Sequence, residues 1–300
     1  MTLEDLAAER VGPIVLSAIG ADRPLAMQVQ RRLTEVTLLE PPADGDFGPV
    51  SHWALDEFLK KVGMPAKGSL DKTVAQALLS PAIGTLFPLN PAPTLAGRIA
   101  AAFQRKGWWI TRHPDCINII YVEGLDPDGT TNNDEPNVFN DLRLLLRINR
   151  SGNPEISGSW VATSEPGTYF TKIRKLDPRG AARIAFGQYK SWAVGMHPRG
   201  SPKVAHEALV QVKDVTVCRD LNEDFERSDD ATFVGLFGIN QHWGYDKAKG
   251  DVGNASAGCL VGRLVVGHRE FMSMVKADPR YGANRGFRFM TAVMPALDLI

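Results

Sequence analysis

The apolar positions of the chain keep two different periods, and the change falls near residue 107. Before it, hydrophobic residues recur every three or four positions. Leu25, Val29, Leu33 and Val36 predict a helix from Pro24, with Arg31, Arg32 and Glu35 on its polar side. The run Pro41-Pro-Ala-Asp-Gly-Asp-Phe-Gly-Pro49 predicts a dense turn, and its last proline suits the first turn of the next helix. That helix carries Trp53, Leu55, Phe58 and Leu59 and stops at Gly63. Ser69 is expected to cap a third, buried through Leu70, Val74, Ala77 and Leu78. Residues 1–20 keep a roughly helical spacing that Gly12-Pro13 interrupts. Four prolines and a glycine between Pro81 and Pro93 predict a linker. A further helix follows, capped by Thr94 and running through Ile99 and Phe103 to Gly107.

Past residue 107 the period is two. Ile117–Val122, Leu142–Ile148, Ile156–Thr163, Ala182–Tyr189, Ala208–Val217 and Thr232–Ile239 read as strands, separated by Pro, Gly, Asp and Asn turns. A helix over Gly267–Ala277 and a strand over Arg288–Met294 close the chain. The pattern predicts an α+β protein of two domains: a helical 1–80, a Pro-rich linker 81–93 and a β-rich 94–300. There is no internal repeat.

Charge narrows the function classes. Lys and Arg number 34 and so do Asp and Glu, giving a net charge of zero. That argues against nucleic-acid binding through bulk positive charge and against a polybasic membrane anchor. No run approaches the ~18 apolar residues of a membrane span. The first ten residues lack a basic segment before an apolar core, so no secretory signal is expected there. Work outside the cytoplasm would then need another delivery route, or a leader already removed. Cys116, Cys218 and Cys259 form no C-x-x-C and no zinc-ligand spacing, so they are buried thiols or one of them is reactive.

One segment concentrates the candidate chemistry. Gly238 to Arg263 holds His242 and Cys259 with sixteen residues between them, and is too glycine-rich for a helix. A strand, a turning loop and a second short strand are expected, a geometry able to bring the pair together. An imidazole is the usual means of deprotonating a thiol for attack. Backbone N–H groups around Gly258-Cys259 would serve as an oxyanion hole. His206, and His197 in Gly-Met-His-Pro-Arg-Gly, flank a strand of the same region. Tyr245, Asp251 and Asn254 lie in the loop between base and nucleophile and are candidate substrate contacts. Asp126–Glu135 suggests a calcium loop, but an EF-hand needs Gly sixth and Glu twelfth where this chain has Thr131 and Asn137. A self-satisfied turn is expected there instead, and no metal. The same acids raise a carboxylate glycosidase as an alternative. Asn254-Ala-Ser256 matches a glycosylation sequon by chance.

Two resemblances attach to these residues. Val29-Gln30, Leu33, Asp44-Gly-Asp-Phe-Gly-Pro49, Ala54, Phe58, Gly63, Gly68, Thr73 and Ala77-Leu78 resemble the three-helix peptidoglycan-binding domain of many cell-wall hydrolases, over about residues 24–80. The departures are Phe58-Leu59 for Phe-Gln and Lys67-Gly68 for Asp-Gly. His242, the spacer, then Ser256-Ala-Gly-Cys259 and aliphatics resemble the L,D-transpeptidase (YkuD-type) catalytic domain, over about residues 180–295. A divergent bacterial group with this two-module layout and Gly-Ile-Asn-Gln-His-Trp-Gly is similar more closely. The resemblance implies a β-sandwich-like catalytic domain with His242 as base, Cys259 as acylated nucleophile, and Ser256 and Gly258 shaping the motif. Beside them Tyr245, His206, Arg263 and Trp243 are the expected substrate contacts. The family has His where this chain has Ala257, and Arg where it has Val261. The implied activity is on peptidoglycan, glycan strand and peptide stem, at the cell wall or periplasm, through a Cys thioester and without a cofactor. The alternatives are a non-catalytic wall-binding protein with a degenerate transpeptidase fold and a carboxylate muramidase.

Overall fold

The computed structural model describes residues 1–198 and 204–300; Arg199-Gly200, the end of the His197 motif, lies outside them. The first third is helical, with α1 (Leu3–Ala7), α2 (Arg23–Glu35), α3 (Pro49–Lys61) and α4 (Lys72–Leu79), and a two-stranded ladder of β1 (Ile14–Val15) and β2 (Ser69–Leu70). Asp22 caps α2 by accepting the Leu25 N–H, and Pro49 opens α3. Ser69 is not a cap. It belongs to β2, and the Asp71 carboxylate accepts the Val74 N–H to start α4 two residues later. Gln30, buried in α2, knits the Asp44–Pro49 turn: its amide donates to Asp44 Oδ1 (3.0 Å) and the Asp46 carbonyl (2.9 Å), and its oxygen accepts the Gly45 N–H (2.7 Å).

One apolar cluster joins these helices, through Leu25, Val29, Leu33, Leu55, Phe58, Val74 and Leu78. The short α1 adds Leu3 and Leu6 to it, a fourth helix beside the three expected. Pro81–Thr85 forms a 3-10 turn whose Ile83 is buried in the same cluster, as is Phe87. The first half of the proline-rich stretch therefore packs on the helices. A buried polar seam connects them to the rest: Arg280 reaches Glu40 at 2.9 Å and Asp278 at 2.7 Å, and the Thr111 hydroxyl donates to the Thr37 carbonyl.

After α5 (Leu95–Lys106), capped by Thr94 and ended by a left-handed Gly107, come β3 (Asn118–Glu123), β4 (Asp141–Ile148), β5 (Pro154–Thr163), β6 (Ala181–Ile184), β7 (Gly187–His197), β8 (His206–Gln211), β9 (Val215–Asp220), β10 (Ala231–Gly235), β11 (Gln241–Trp243) and β12 (Leu260–Gly262), then α6 (Val265–Lys276), α7 (Pro279–Ala283) and β13 (Phe289–Pro295). Eight strands close a barrel in the order β11-β12-β5-β4-β3-β13-β7-β8, where a sandwich-like sheet was implied. Its pairs are antiparallel except β11–β12 and β13–β3. A separate antiparallel sheet has the order β10-β9-β6.

The two expected strands Ala182–Tyr189 and Ala208–Val217 each break in two, β6/β7 and β8/β9. In both the chain passes between the barrel and the second sheet in mid-run. Both halves stay buried on at least one side, so the apolar pattern does not mark the break. The strand expected over Thr232–Ile239 ends at Gly235. β3 is apolar on both faces because Ile119 and Tyr121 join α6 residues Phe271 and Val275, while Ile120 and Val122 lie against Ile99 and Phe103 of α5. Among the described residues no helix is long and apolar enough to cross a membrane.

Candidate active site

The expected strand–loop–strand forms, and its two strands pair directly. Parallel β11–β12 sets Gln241 opposite Leu260, His242 opposite Val261 and Trp243 opposite Gly262. One step earlier stand Asn240 and Cys259, tied by the Leu260 N–H to the Asn240 carbonyl at 2.9 Å. Side chains alternate between faces, so Cys259 shares a face with Val261 and hence with His242. Strand spacing and rise put the two Cα atoms roughly 8 Å apart as diagonal neighbours. The opposite face is the barrel interior, where the Gln241 amide donates to Thr291 Oγ1 at 2.8 Å.

Gly258 positions the cysteine. Its φ is +120°, and a Cβ there would stand 2.1 Å from the Ala182 carbonyl oxygen, so no other residue fits the backbone as it stands. The buried Ser256 hydroxyl accepts the Gly258 N–H (3.1 Å) and donates to the Cys259 carbonyl (2.9 Å). Its bonds brace this turn. Of the expected oxyanion donors, Gly258 N–H is thus engaged, while Cys259 N–H has no partner among the described residues.

The intervening loop is pinned. Asn137 accepts the Gly253 and Thr168 N–H groups on its side-chain oxygen, and its carbonyl takes the Val252 N–H. Arg263 donates to the Lys247 carbonyl at 3.0 Å, gripping the loop backbone. Phe139, Val252, Ala255 and Val261 form a small apolar cluster against which Cys259 packs. Asp251 and Asn254 are exposed on the loop.

His242 is buried and its Nδ1 lies 2.8 Å from the Trp243 carbonyl. A carbonyl only accepts, so Nδ1 carries the proton and Nε2 keeps its lone pair. His197 stacks on His242 with centroids 3.9 Å apart, and the Asn240 amide donates to His197 Nδ1 at 2.9 Å. Tyr245, partly exposed, has its ring 6.2 Å from that of His242. Burial, then the neighbouring His197, holds His242 well below the usual imidazole range. Burial pushes the Cys259 thiol up to about 11, opposed by the Asn240 N–H directed at Sγ (3.4 Å). The resting pair is accordingly a neutral thiol and a neutral imidazole.

Sequence reasoning missed Asn240 and Asn137. Asn240 has a readable signal, since it stands two residues before His242, just ahead of β11; Asn137, more than a hundred residues away in sequence, has none.

The acids gather elsewhere. Carboxylate oxygens of Glu123, Asp134 and Glu165 lie within 4.8 Å of one another. Arg227 pairs with both oxygens of Glu123, Arg183 pairs with Glu165, and Ser164 bridges Glu123 and Asp141. Burial, then Glu123, raises Asp134 to about 7 and Asp141 to about 8. Two guanidiniums neutralise this group, the pattern of an internal ion-pair network. Only Asp134 of the Asp126–Glu135 segment joins it; Asp128 accepts the N–H and hydroxyl of Thr130, as a turn does.

No family model matches the sequence, and neither does any curated protein. Among solved structures, a fused Zn-dependent amidase/peptidase/peptidoglycan-binding domain-containing protein from Clostridium acetobutylicum is similar at 15% identity, over 89% of this chain and 94% of that one. The TM-score is 0.28, too slight a likeness to define a fold or an activity.

Proposed function

We propose that this chain is a cysteine acyl-transfer enzyme acting on the peptide stems or cross-links of peptidoglycan. The observation that carries the reading is the β11–β12 register, which gives His242 and Cys259 one face with His242 Nε2 unprotonated. Cys259 Sγ, whose proton rests toward the Gly238 carbonyl at 3.5 Å, turns to attack an amide carbonyl carbon as that proton passes to His242 Nε2. The tetrahedral oxyanion takes the free Cys259 N–H. His242 returns the proton to the leaving amine, the C–N bond breaks, and a thioester remains. An amine resolves it in transpeptidation, water in hydrolysis. The resemblance of residues 24–80 to wall-binding domains supports the substrate class, because tethering raises the effective substrate concentration.

The test is incubation of purified sacculi with the wild-type protein and with Cys259→Ala, followed by mass spectrometry of the muropeptides. New or lost cross-links with the wild type alone are expected. Identical profiles would leave a wall-binding protein without catalysis, and glycan cleavage indifferent to Cys259 would point to carboxylates.

A further inference from the structure

One residue beyond His242, an indole has no acceptor for its proton. Trp243 Nε1 is buried and lacks a hydrogen-bond partner among the described residues. Its ring lies flat on His206, with centroids 3.6 Å apart and planes 11° from parallel. His206 is 5% exposed; its Nδ1 donates to the Val204 carbonyl at 3.1 Å, and its Nε2 is buried without a partner among the described residues. Both rings line a cavity of about 660 Å³ against α6, which Met272 and Ala277 also line. His268 on the same wall is satisfied, facing Arg143 at 3.2 Å through Nδ1 and the Glu207 carbonyl at 2.9 Å through Nε2. The wall therefore holds one orphan donor and one orphan acceptor, each almost closed off in the resting structure, so a ligand pairs with them only as the two rings turn toward the cavity. Leaving such groups unpaired is costly, and a matching ligand recovers that cost.

We propose that this cavity is a peptide subsite. One residue of an extended substrate chain would accept from Trp243 through its carbonyl and donate to His206 through its N–H. Extended backbone supplies that pair on one side, as in the hydrogen-bonded pairs of an antiparallel ladder. Arg269 stands over the Trp243 ring at 5.6 Å and meets no carboxylate among the described residues, so a chain ending in a carboxylate has a cation at the rim. His206, whose ring is 5.9 Å from that of His242, connects the cavity to the proposed base.

The inference rests on the peptide-directed reading above, and binding to the Cys259→Ala protein keeps the two separable. Acetyl-alanyl-alanine, in D and L forms, is titrated while the indole N–H resonances are recorded. The Trp243 signal, assigned with Trp243→Phe, is expected to move downfield and saturate. Replacing one of the two peptide N–H groups by an ester oxygen should weaken binding by about tenfold or more. Arg269→Gln should weaken the acid and leave its C-terminal amide unchanged. If Trp243→Phe does not fold, calorimetry of peptide against esters on Cys259→Ala decides alone. Equal affinity for peptide and both esters, no binding at millimolar peptide, or a Trp243 shift with N-acetylglucosamine in place of the peptide would overturn the subsite. Should the peptide bind as expected while sacculi remain unaltered, the subsite stands and the catalytic reading falls.

Discussion

The neutral resting pair makes a quantitative prediction about Cys259. A thiol held near 11 is ionised at pH 7 in about one molecule in ten thousand, against about three in a hundred for an ordinary thiol near 8.5. The ratio is roughly 300. The more basic thiolate is also the better nucleophile, and a Brønsted slope of about 0.45 over that gap returns roughly 13-fold. Alkylation by iodoacetamide should therefore run about 25-fold slower than for a free thiol at pH 7. Burial disfavours the thiolate, so the rate should climb about tenfold per pH unit through pH 10, with no plateau near 8.5. Mass spectrometry follows the adduct, with Cys259→Ser as the blank for the buried Cys116 and Cys218. The curve should be unchanged in His242→Asn, since a neutral imidazole does not hold a thiolate. A plateau reached by pH 7 would refute the reasoning. It would mean that an imidazolium at His242 keeps Cys259 ionised, and that attack carries no proton transfer.

Two further changes test the frame around the site. Gly258→Ala places a side chain at φ +120° and against the Ala182 carbonyl, which costs about 3–5 kcal/mol in strain and displacement and should lower the melting temperature by roughly 10 °C; a melt within 2 °C of wild type, in a variant that still labels normally, would contradict the geometry. Arg280→Ala strips the counter-charge from the buried Glu40 and Asp278, with about 3–5 kcal/mol of destabilisation expected in denaturant unfolding, whereas an exposed pair such as Lys60–Glu57 should cost less than about 1 kcal/mol.

Legibility followed the range of the interaction. Helices α2, α3 and α5 were readable because their stripes, caps and stops are local, down to Thr94 and Gly107. The start of α4 was misplaced because two capping residues, Ser69 and Asp71, stand close together, and pairing with β1 decides between them. The breaks inside Ala182–Tyr189 and Ala208–Val217 were hidden because apolar residues continue on both sides. Glu40 and Arg280 are 240 positions apart, and nothing local in either announces the other.

The residues Val261 and Arg263, where the sequence differs from the motif it resembles, have a physical account in the same register. Val261 is fully buried opposite His242, under Phe139, Val252 and Ala255. An arginine there would bury an unpaired charge beneath the loop, at several kcal/mol. The arginine stands instead at Arg263, two residues on and toward the same face, where it grips the Lys247 carbonyl. The Asn240 N–H draws the thiol's ionisation down, which is not enough to offset burial. In the proposed reaction, a thiol so placed depends on a base to take its proton during attack. His242, neutral and with Nε2 unprotonated, is in the state that role requires.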